Sequence, residues 1–350
     1  MQSSGTAPKR GLIRRCERQD RGQRYARRFT ARVFAVLGIL LCTGLFSACA
    51  RGGEEKGPEE RTVSYSAQQM LLPVLSAHNA AEQVYTEKIW QIAVGADGRS
   101  YREQYLERLH DFFVTMEMMK GIAEERGIRL EAAERKSLAA AAAAFYDSSV
   151  RTAPALSGLS EAETETLFFD YALALALRES MAAEKSAEVS VDEAKVIRLQ
   201  RIVAEDRDTA ERLRERAEAG ENFKMLASET VSGEGFFMKV SRGELSKETE
   251  QVVFSLEEDE LSPVLEENGK YCIFKCTDSY DETETALRRK ELQAERLQAV
   301  VESALDDYRS RYSVIMDEAR WKSTVNAAAA LYEGDDFFAA VKEGMRNAGV

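Results

Sequence analysis

One β-rich stretch, Val196 to Cys276, interrupts a chain that otherwise has the pattern of helices. Within it VIRLQRIVAE, GFFMKV and KYCIFKC are rich in β-branched and aromatic residues, which favour strands. The segments between them predict helices, so the order of elements here is β-α-α-β-α-β-β. Because that many elements fit a single core, a compact α+β domain is predicted at this place in the chain.

Helices are predicted on both sides of this stretch. Apolar residues recur at steps of three and four and would form one buried helical face. On the N-terminal side they are Tyr105, Leu109, Phe112, Met116 and Met119, and on the C-terminal side Leu297, Val301, Leu305, Tyr308, Tyr312 and Ile315. The predicted fold class is therefore α+β, with a helical domain formed from N- and C-terminal segments and a small inserted α+β domain.

The N-terminus has the pattern of an export signal. Arginines, among them Arg32, precede an apolar run from Val33 to Ala48, and Cys49 follows it directly. The run is shorter than the roughly 20 apolar residues of a spanning helix, so residues 1–48 are predicted to be a signal peptide. The segment LFSAC resembles a bacterial lipobox, which implies lipidation of Cys49, attachment to a membrane and a tether at residues 49–60. An ordinary secretory signal with an incidental cysteine is the alternative.

Charge and composition exclude several functions. Residues 1–48 carry ten basic and two acidic side chains, which leaves residues 49–350 with a net charge of −20 and disfavours binding to nucleic acid. The chain has only two histidines, His78 and His110, so zinc sites and histidine-based catalysis have few candidate residues. Nucleotide-binding and common hydrolase motifs are absent from the sequence. No cofactor and no metal are predicted.

Two cysteines, Cys272 and Cys276, remain as thiols if the signal is removed before Cys49. They lie four residues apart in a predicted strand, which would separate their Cα atoms by about 13 Å. A disulfide needs a separation below about 7 Å. The two thiols are therefore not expected to pair with each other.

Four blocks in the β-rich stretch resemble, in order and spacing, the parvulins of the SurA and PrsA type, which are peptidyl-prolyl isomerases and chaperones. The blocks are IRLQRIVAEDRDTAERL, AGENFKMLASE, SRGELSKETEQVVFSL and ELSPVLEENGKYCIFKC. The resemblance implies a parvulin-like domain at 195–278 between chaperone segments at 61–194 and 279–350. It also implies isomerase activity, unfolded or nascent exported proteins as partners, and a periplasmic or surface location.

The catalytic pattern of the family is substituted in this chain. Active parvulins carry a histidine in the first strand and another in the closing strand, and the matching positions here are Arg201 and Cys272. The acidic loop position matches Phe236, and the Met and Phe of the proline pocket match Leu245 and Thr249. No residue is therefore predicted to be catalytic with the family's chemistry.

Two further readings of these positions stay open. Phe237 and Leu245 could line a degenerate pocket or belong to the core. Arg201 and Cys272 could be no more than tolerated replacements at former catalytic positions.

The sequence thus predicts an exported, lipid-anchored chaperone or foldase of the parvulin family with weak or lost isomerase activity. One alternative is an active isomerase whose pocket uses other residues. Another is a surface lipoprotein that keeps the fold as a scaffold or adhesin.

Overall fold

The computed structural model describes residues 58–94, 97–230, 235–330 and 332–348. They form two compact units. The helical unit contains the described residues up to Ser180 and those from Val301 onward, and the α+β unit runs from Met181 to Val300. The predicted fold class is confirmed, because segments from both ends of the chain form one unit around an inserted α+β unit. The predicted signal peptide and Cys49 lie outside the described residues.

Helices dominate the described chain, and the β-rich stretch has the predicted order of elements. The elements are β1 (Glu59–Thr62), α1 (Ala67–Tyr85), α2 (Tyr101–Glu125), α3 (Ala132–Phe145), α4 (Glu161–Ala182), α5 (Val191–Ala194), β2 (Val196–Ala204), α6 (Arg207–Glu218), α7 (Phe223–Ser228), β3 (Phe237–Ser241), α8 (Lys247–Val253), β4 (Leu265–Glu267), β5 (Lys270–Asp278), α9 (Glu282–Arg311), β6 (Tyr312–Ile315), α10 (Glu318–Ala327) and α11 (Phe337–Arg346).

Side-chain caps fix where several helices begin. Ser66 and Gln69 form a capping box at α1: the Ser66 hydroxyl accepts the Gln69 N–H at 3.2 Å, and the Gln69 side-chain oxygen accepts the Ser66 N–H at 2.9 Å. Ser100 and Glu103 repeat the arrangement at α2. Each box satisfies two backbone donors that have no partner inside the helix. Among the described helices, none is long and apolar enough to cross a bilayer.

Aromatic side chains fill the core of the helical unit. The rings that pack against one another there include Phe112, Phe145, Phe168, Tyr171, Phe337 and Phe338. Met116, Met118 and Met119 on α2 are 1%, 2% and 0% exposed. These methionines therefore belong to the core of the helical unit.

The predicted C-terminal helix is too long by one segment. Helix α9 ends at Arg311, and residues 312–315 form strand β6, which pairs in parallel with β1. The guanidinium of Arg61 lies 3.8 Å from the ring centroid of Tyr312, and such a contact adds to the pairing. Glu59 and Glu60, at the end of the predicted tether, pair with Tyr312 and Ser313. The helical stripe did not reveal this pairing, because its partner strand lies at the other end of the described chain.

The α+β unit contains a four-stranded antiparallel sheet in the order β3-β2-β5-β4. Strands β4 and β5 are joined by a tight turn at Asn268 and Gly269, whose φ angles are 54° and 74°. Two consecutive positive φ angles are typical of a type I′ hairpin turn, which Asn-Gly favours. Strands β2 and β5 lie at the centre of the sheet, and β3 lies at one edge.

Each face of this sheet has its own apolar core. On the first face, Leu199, Val240 and Phe274 pack with residues of α8 and the segment after it. On the second face, Ile202 and Ile273 pack with residues of α6 and α7. Side chains alternate between faces along a strand, so the face of each candidate site residue follows from its position.

Candidate functional site

Strand pairing brings together Arg201 and Cys272, which the sequence resemblance matches to the two histidines of the family. Strands β2 and β5 are neighbours in which Arg201 pairs with Phe274 and Val203 pairs with Cys272. Arg201 and Cys272 are therefore diagonal neighbours, and both lie on the first face.

The side chain of Arg201 takes an unusual place for a cation. It alternates with Leu199 and Val203, which both pack in the first-face core. Its Nε atom is buried and, within the described part of the chain, has no hydrogen-bond partner. A buried donor without a partner carries a desolvation cost that a bound acceptor or ordered water would remove. The Nε donor of this guanidinium is thus left without a hydrogen-bond acceptor in the site.

Gly235 makes room for this guanidinium. A Cβ atom at Gly235 would lie 2.6 Å from Nη2 of Arg201, so any other residue there would displace the guanidinium from its present place. Its φ angle of 87° also favours glycine. The backbone is tied at the same place, because the N–H of Arg201 donates to the carbonyl of Phe236 at 2.8 Å. Arginine at position 201 and glycine at position 235 therefore fit each other.

Cys272 is a buried thiol with no nucleophilic character. It is 2% exposed, and burial raises its pKa, although the nearby Arg201 guanidinium acts in the opposite direction. The thiol is therefore protonated at neutral pH, whereas a reactive cysteine needs its thiolate. Cys272 and Cys276 are both free and pack on the first face.

A buried carboxylate that the sequence did not reveal lies next to these residues. Glu267 on β4 is 7% exposed and accepts hydrogen bonds from the N–H of Ser246 at 3.1 Å and from its hydroxyl at 2.7 Å. Burial raises the pKa of Glu267, but hydrogen bonds from Ser246 and Thr249 and the charge of Arg201 together hold it below the usual value. The sequence could identify Ser246 as a helix cap, but its partner lies on another element.

Thr249, which the sequence resemblance matches to the family's pocket phenylalanine, is hydrogen-bonded to Ser246 beside Glu267. It is 1% exposed, and its hydroxyl lies 2.9 Å from the hydroxyl of Ser246. Leu245 packs partly buried against the first-face core. Thr249 thus carries a buried hydroxyl that is already hydrogen-bonded.

Phe236 and Phe237 do not lie on the first face with the other predicted site residues. Phe236 packs on the second face, with its ring centroid 6.1 Å from that of Phe223. Phe237 is 69% exposed. Of the six predicted positions, four therefore lie on the first face and two do not. The described residues contain no cluster of three or more His, Cys, Asp or Glu side chains that could hold a metal ion.

Comparison with known families places this domain in a class. Residues 194–278 match the family model described as the PPIC-type PPIase domain, or rotamase. These residues form a parvulin domain, as the sequence blocks predicted.

The chain is also similar in sequence to a protein of the PrsA type. The chain is 39% identical over 95 residues to the foldase protein PrsA of Halalkalibacterium halodurans. The matched region covers 24% of this chain and 28% of that protein. The chain thus matches less than a third of that relative's length.

Solved structures of two PrsA proteins are also similar. One is the peptidylprolyl isomerase PrsA of Bacillus cereus, with 18% identity, a TM-score of 0.33 and coverage of 69% of this chain and 99% of that one. The other is PrsA of Bacillus subtilis, with 17% identity, a TM-score of 0.24 and coverage of 68% and 98%.

Proposed function

We propose that the protein is an exported, lipid-anchored foldase or holdase that binds unfolded or nascent exported proteins and has weak or no isomerase activity. A parvulin domain and the similarity to a protein named as a foldase support the foldase part. The observation that carries the rest is the pair Arg201 and Cys272, a guanidinium beside a buried neutral thiol at the positions of the family's two histidines.

Proline isomerisation requires that a site stabilise the twisted amide against a barrier of about 18–20 kcal/mol. No covalent step is needed, so the rate depends on the shape of the pocket and on its hydrogen-bonding groups. Here Thr249 is already engaged by Ser246, and Cys272 is packed in the core. Neither side chain is free to contact a prolyl residue, which supports low activity.

Binding of an unfolded chain has less demanding requirements. It depends on apolar area and on backbone hydrogen bonds, and neither needs the substituted positions. The net charge of −20 on residues 49–350 disfavours nucleic acid as the partner. Client binding without catalysis is therefore the function that the residues support best.

Export and anchoring depend on residues outside those described. The support is the sequence alone: a basic region, the apolar run Val33 to Ala48, and LFSAC ending in Cys49. A single acyl chain gives only marginal membrane binding, whereas the two signals of a lipoprotein give stable attachment. Replacing Cys49→Ser should release the protein from the membrane fraction, and a variant that stays bound after a high-salt wash would contradict the lipid anchor.

The catalytic part is tested on the mature chain by exchange spectroscopy with a short proline peptide. We expect no measurable acceleration of cis–trans exchange, together with suppressed aggregation of a refolding protein at stoichiometric amounts. Robust catalysis that disappears in Arg201→Ala or Cys272→Ala would instead establish an active isomerase with a non-standard site. Neither catalysis nor suppression would favour a scaffold or adhesin.

A further inference from the structure

Strand β3 is an edge strand with a free row of backbone groups. It pairs with β2 on one side, and no strand of the described residues pairs with it on the other. The register pairs Gln200 with Phe237 and Arg198 with Lys239. A free edge of this kind is a template on which another extended chain can add a strand.

The hydrogen-bond phase shows which groups face outward. The N–H of Arg201 donates to the carbonyl of Phe236 at 2.8 Å, so the backbone groups of Arg201 face β3, and by alternation along β2 so do those of Leu199, which pairs with Met238. Hydrogen-bonded pairs alternate with non-bonded ones, so Met238 and Val240 also direct their backbone groups at β2. The N–H and C=O groups of Phe237 and Lys239 therefore face away from the sheet, and no hydrogen bond to them is found among the described residues.

An aromatic side chain stands beside this free edge. Phe237 is the most exposed large hydrophobic residue in the described part of the chain, at 69%. Its ring packs edge-to-face on Phe236 with centroids 4.8 Å apart, which gives the exposed ring a defined position. A side chain on an added strand would lie opposite Phe237, where an aromatic ring favours an aromatic or β-branched partner.

We propose that the free edge of β3 binds an extended apolar segment of an unfolded client by adding it as a fifth strand of the sheet. This inference rests on the proposed role in client binding and names the surface that performs it. The site lies on the backbone of Phe237 and Lys239 with the ring of Phe237 at its side, and it does not require proline in the client.

Charge argues against a second copy of the chain as the occupant. In an antiparallel pairing of β3 with itself, the two Lys239 side chains would lie opposite or diagonal to each other, and like charges there are destabilising. Residues 49–350 also carry a net charge of −20, so two copies repel each other. A client strand with uncharged, apolar residues near Lys239 meets neither obstacle.

The sharpest test removes one outward N–H and keeps the inner ladder. Lys239→Pro deletes a donor that does not bond β2, and proline is tolerated at such edge positions. Lys239→Ala is the matched control, because both variants lose the 2.7 Å ion pair with Glu284 but alanine keeps the N–H. The probe is a labelled, capped, proline-free heptapeptide of alternating Val and Thr, and fluorescence anisotropy gives its dissociation constant.

We expect the dissociation constant to rise at least tenfold in Lys239→Pro and to change less than threefold in Lys239→Ala. On the unaltered protein, methylating the peptide's amide nitrogens along one strand edge should weaken binding at least tenfold, and methylating those along the other should not. This second measurement stands even if Lys239→Pro fails to fold.

Equal binding of both methylated probes, or unchanged binding by a folded Lys239→Pro variant, would overturn the proposal. So would a dimer in sedimentation velocity that becomes monomeric in Lys239→Pro, since the edge would then bind a second copy. A protein that suppresses aggregation but does not bind the heptapeptide refutes the edge site and leaves the proposed function standing. If it does neither, both fail.

Discussion

The same ring arrangement occurs in both units with different surroundings. In the helical unit, Phe168 and Phe337 pack edge-to-face with centroids 5.4 Å apart, and both are 0% exposed. In the α+β unit, Phe236 and Phe237 pack edge-to-face at 4.8 Å, but Phe237 is 69% exposed. Ring geometry contributes only about 0.5–1.5 kcal/mol beyond the buried area. The first pair therefore stabilises a core, whereas the second leaves most of one ring available to a partner.

The largest effect is expected in the buried pair. Phe337→Ala should destabilise the helical unit by about 3–5 kcal/mol, because a fully buried ring is lost and a cavity remains. Hydrogen exchange read by segment should show faster exchange in α3, α4 and α11, since two units need not unfold in one transition. Phe337→Leu, which keeps most of the apolar volume, is the control and should lose less. A loss below about 1 kcal/mol in the alanine variant would contradict the contrast between the units.

A second effect concerns the close approach of the Tyr308 ring to the backbone of α2. A Cβ atom at Gly121 on α2 would lie 2.1 Å from the hydroxyl oxygen of Tyr308, an oxygen that accepts a hydrogen bond from Arg61 at 2.9 Å. Gly121→Ala should therefore cost about 1–3 kcal/mol by overpacking, measured as the loss of exchange protection in α2. In the double variant with Tyr308→Ala all three side-chain atoms that the Cβ would meet are gone, so its cost should be smaller than the sum of the two single costs. Strict additivity would show that the two residues do not meet.

Gly121 illustrates which features the sequence could not predict. Periodicity predicted α2 and the stripe of α9 as far as Tyr308, because those residues lie within single helices. The contact between Gly121 and Tyr308 joins two elements that are distant in the chain, as does the parallel pairing of residues 59–62 with 312–315. Local patterns carry no information on such pairs.

In the candidate site, too, some residues could be predicted from local sequence and others depend on contacts between elements. Arg201 and Cys272 could be identified from the resemblance, because each lies in a recognisable block of sequence. Glu267 and Gly235 could not, because their roles depend on sheet register and on the reach of other side chains. The site is thus predictable at the positions that the family pattern marks, and not at positions whose role depends on contacts between elements.

A third effect tests the buried carboxylate of the α+β unit. Because the pKa of Glu267 is lower in the folded than in the unfolded chain, its stabilisation is present above the unfolded value of about 4.3 and is lost as pH falls through the folded pKa. Glu267→Gln should therefore destabilise α8 and β4 by about 1–2 kcal/mol at pH 7, and it should lack that part of the acid sensitivity. The neighbouring exposed residue gives the control, Glu266→Gln, which should behave like the unaltered protein. An unchanged acid profile in Glu267→Gln would refute the assigned role.

The smallest effect on stability is expected at the exposed ring. Phe237→Ala removes a side chain that is 69% exposed, so the free energy of unfolding should change by less than about 1 kcal/mol, mainly through the lost ring pair with Phe236. Phe236→Ala is the matched comparison: its ring packs partly buried on the second face, and its loss should be clearly larger. If Phe237 serves an incoming strand, binding of the Val/Thr heptapeptide should weaken in Phe237→Ala while exchange protection in β2 and β5 is unchanged. A stability loss equal to that of Phe236→Ala would instead make Phe237 a structural residue, and the two edge-to-face pairs would then differ in burial but not in role.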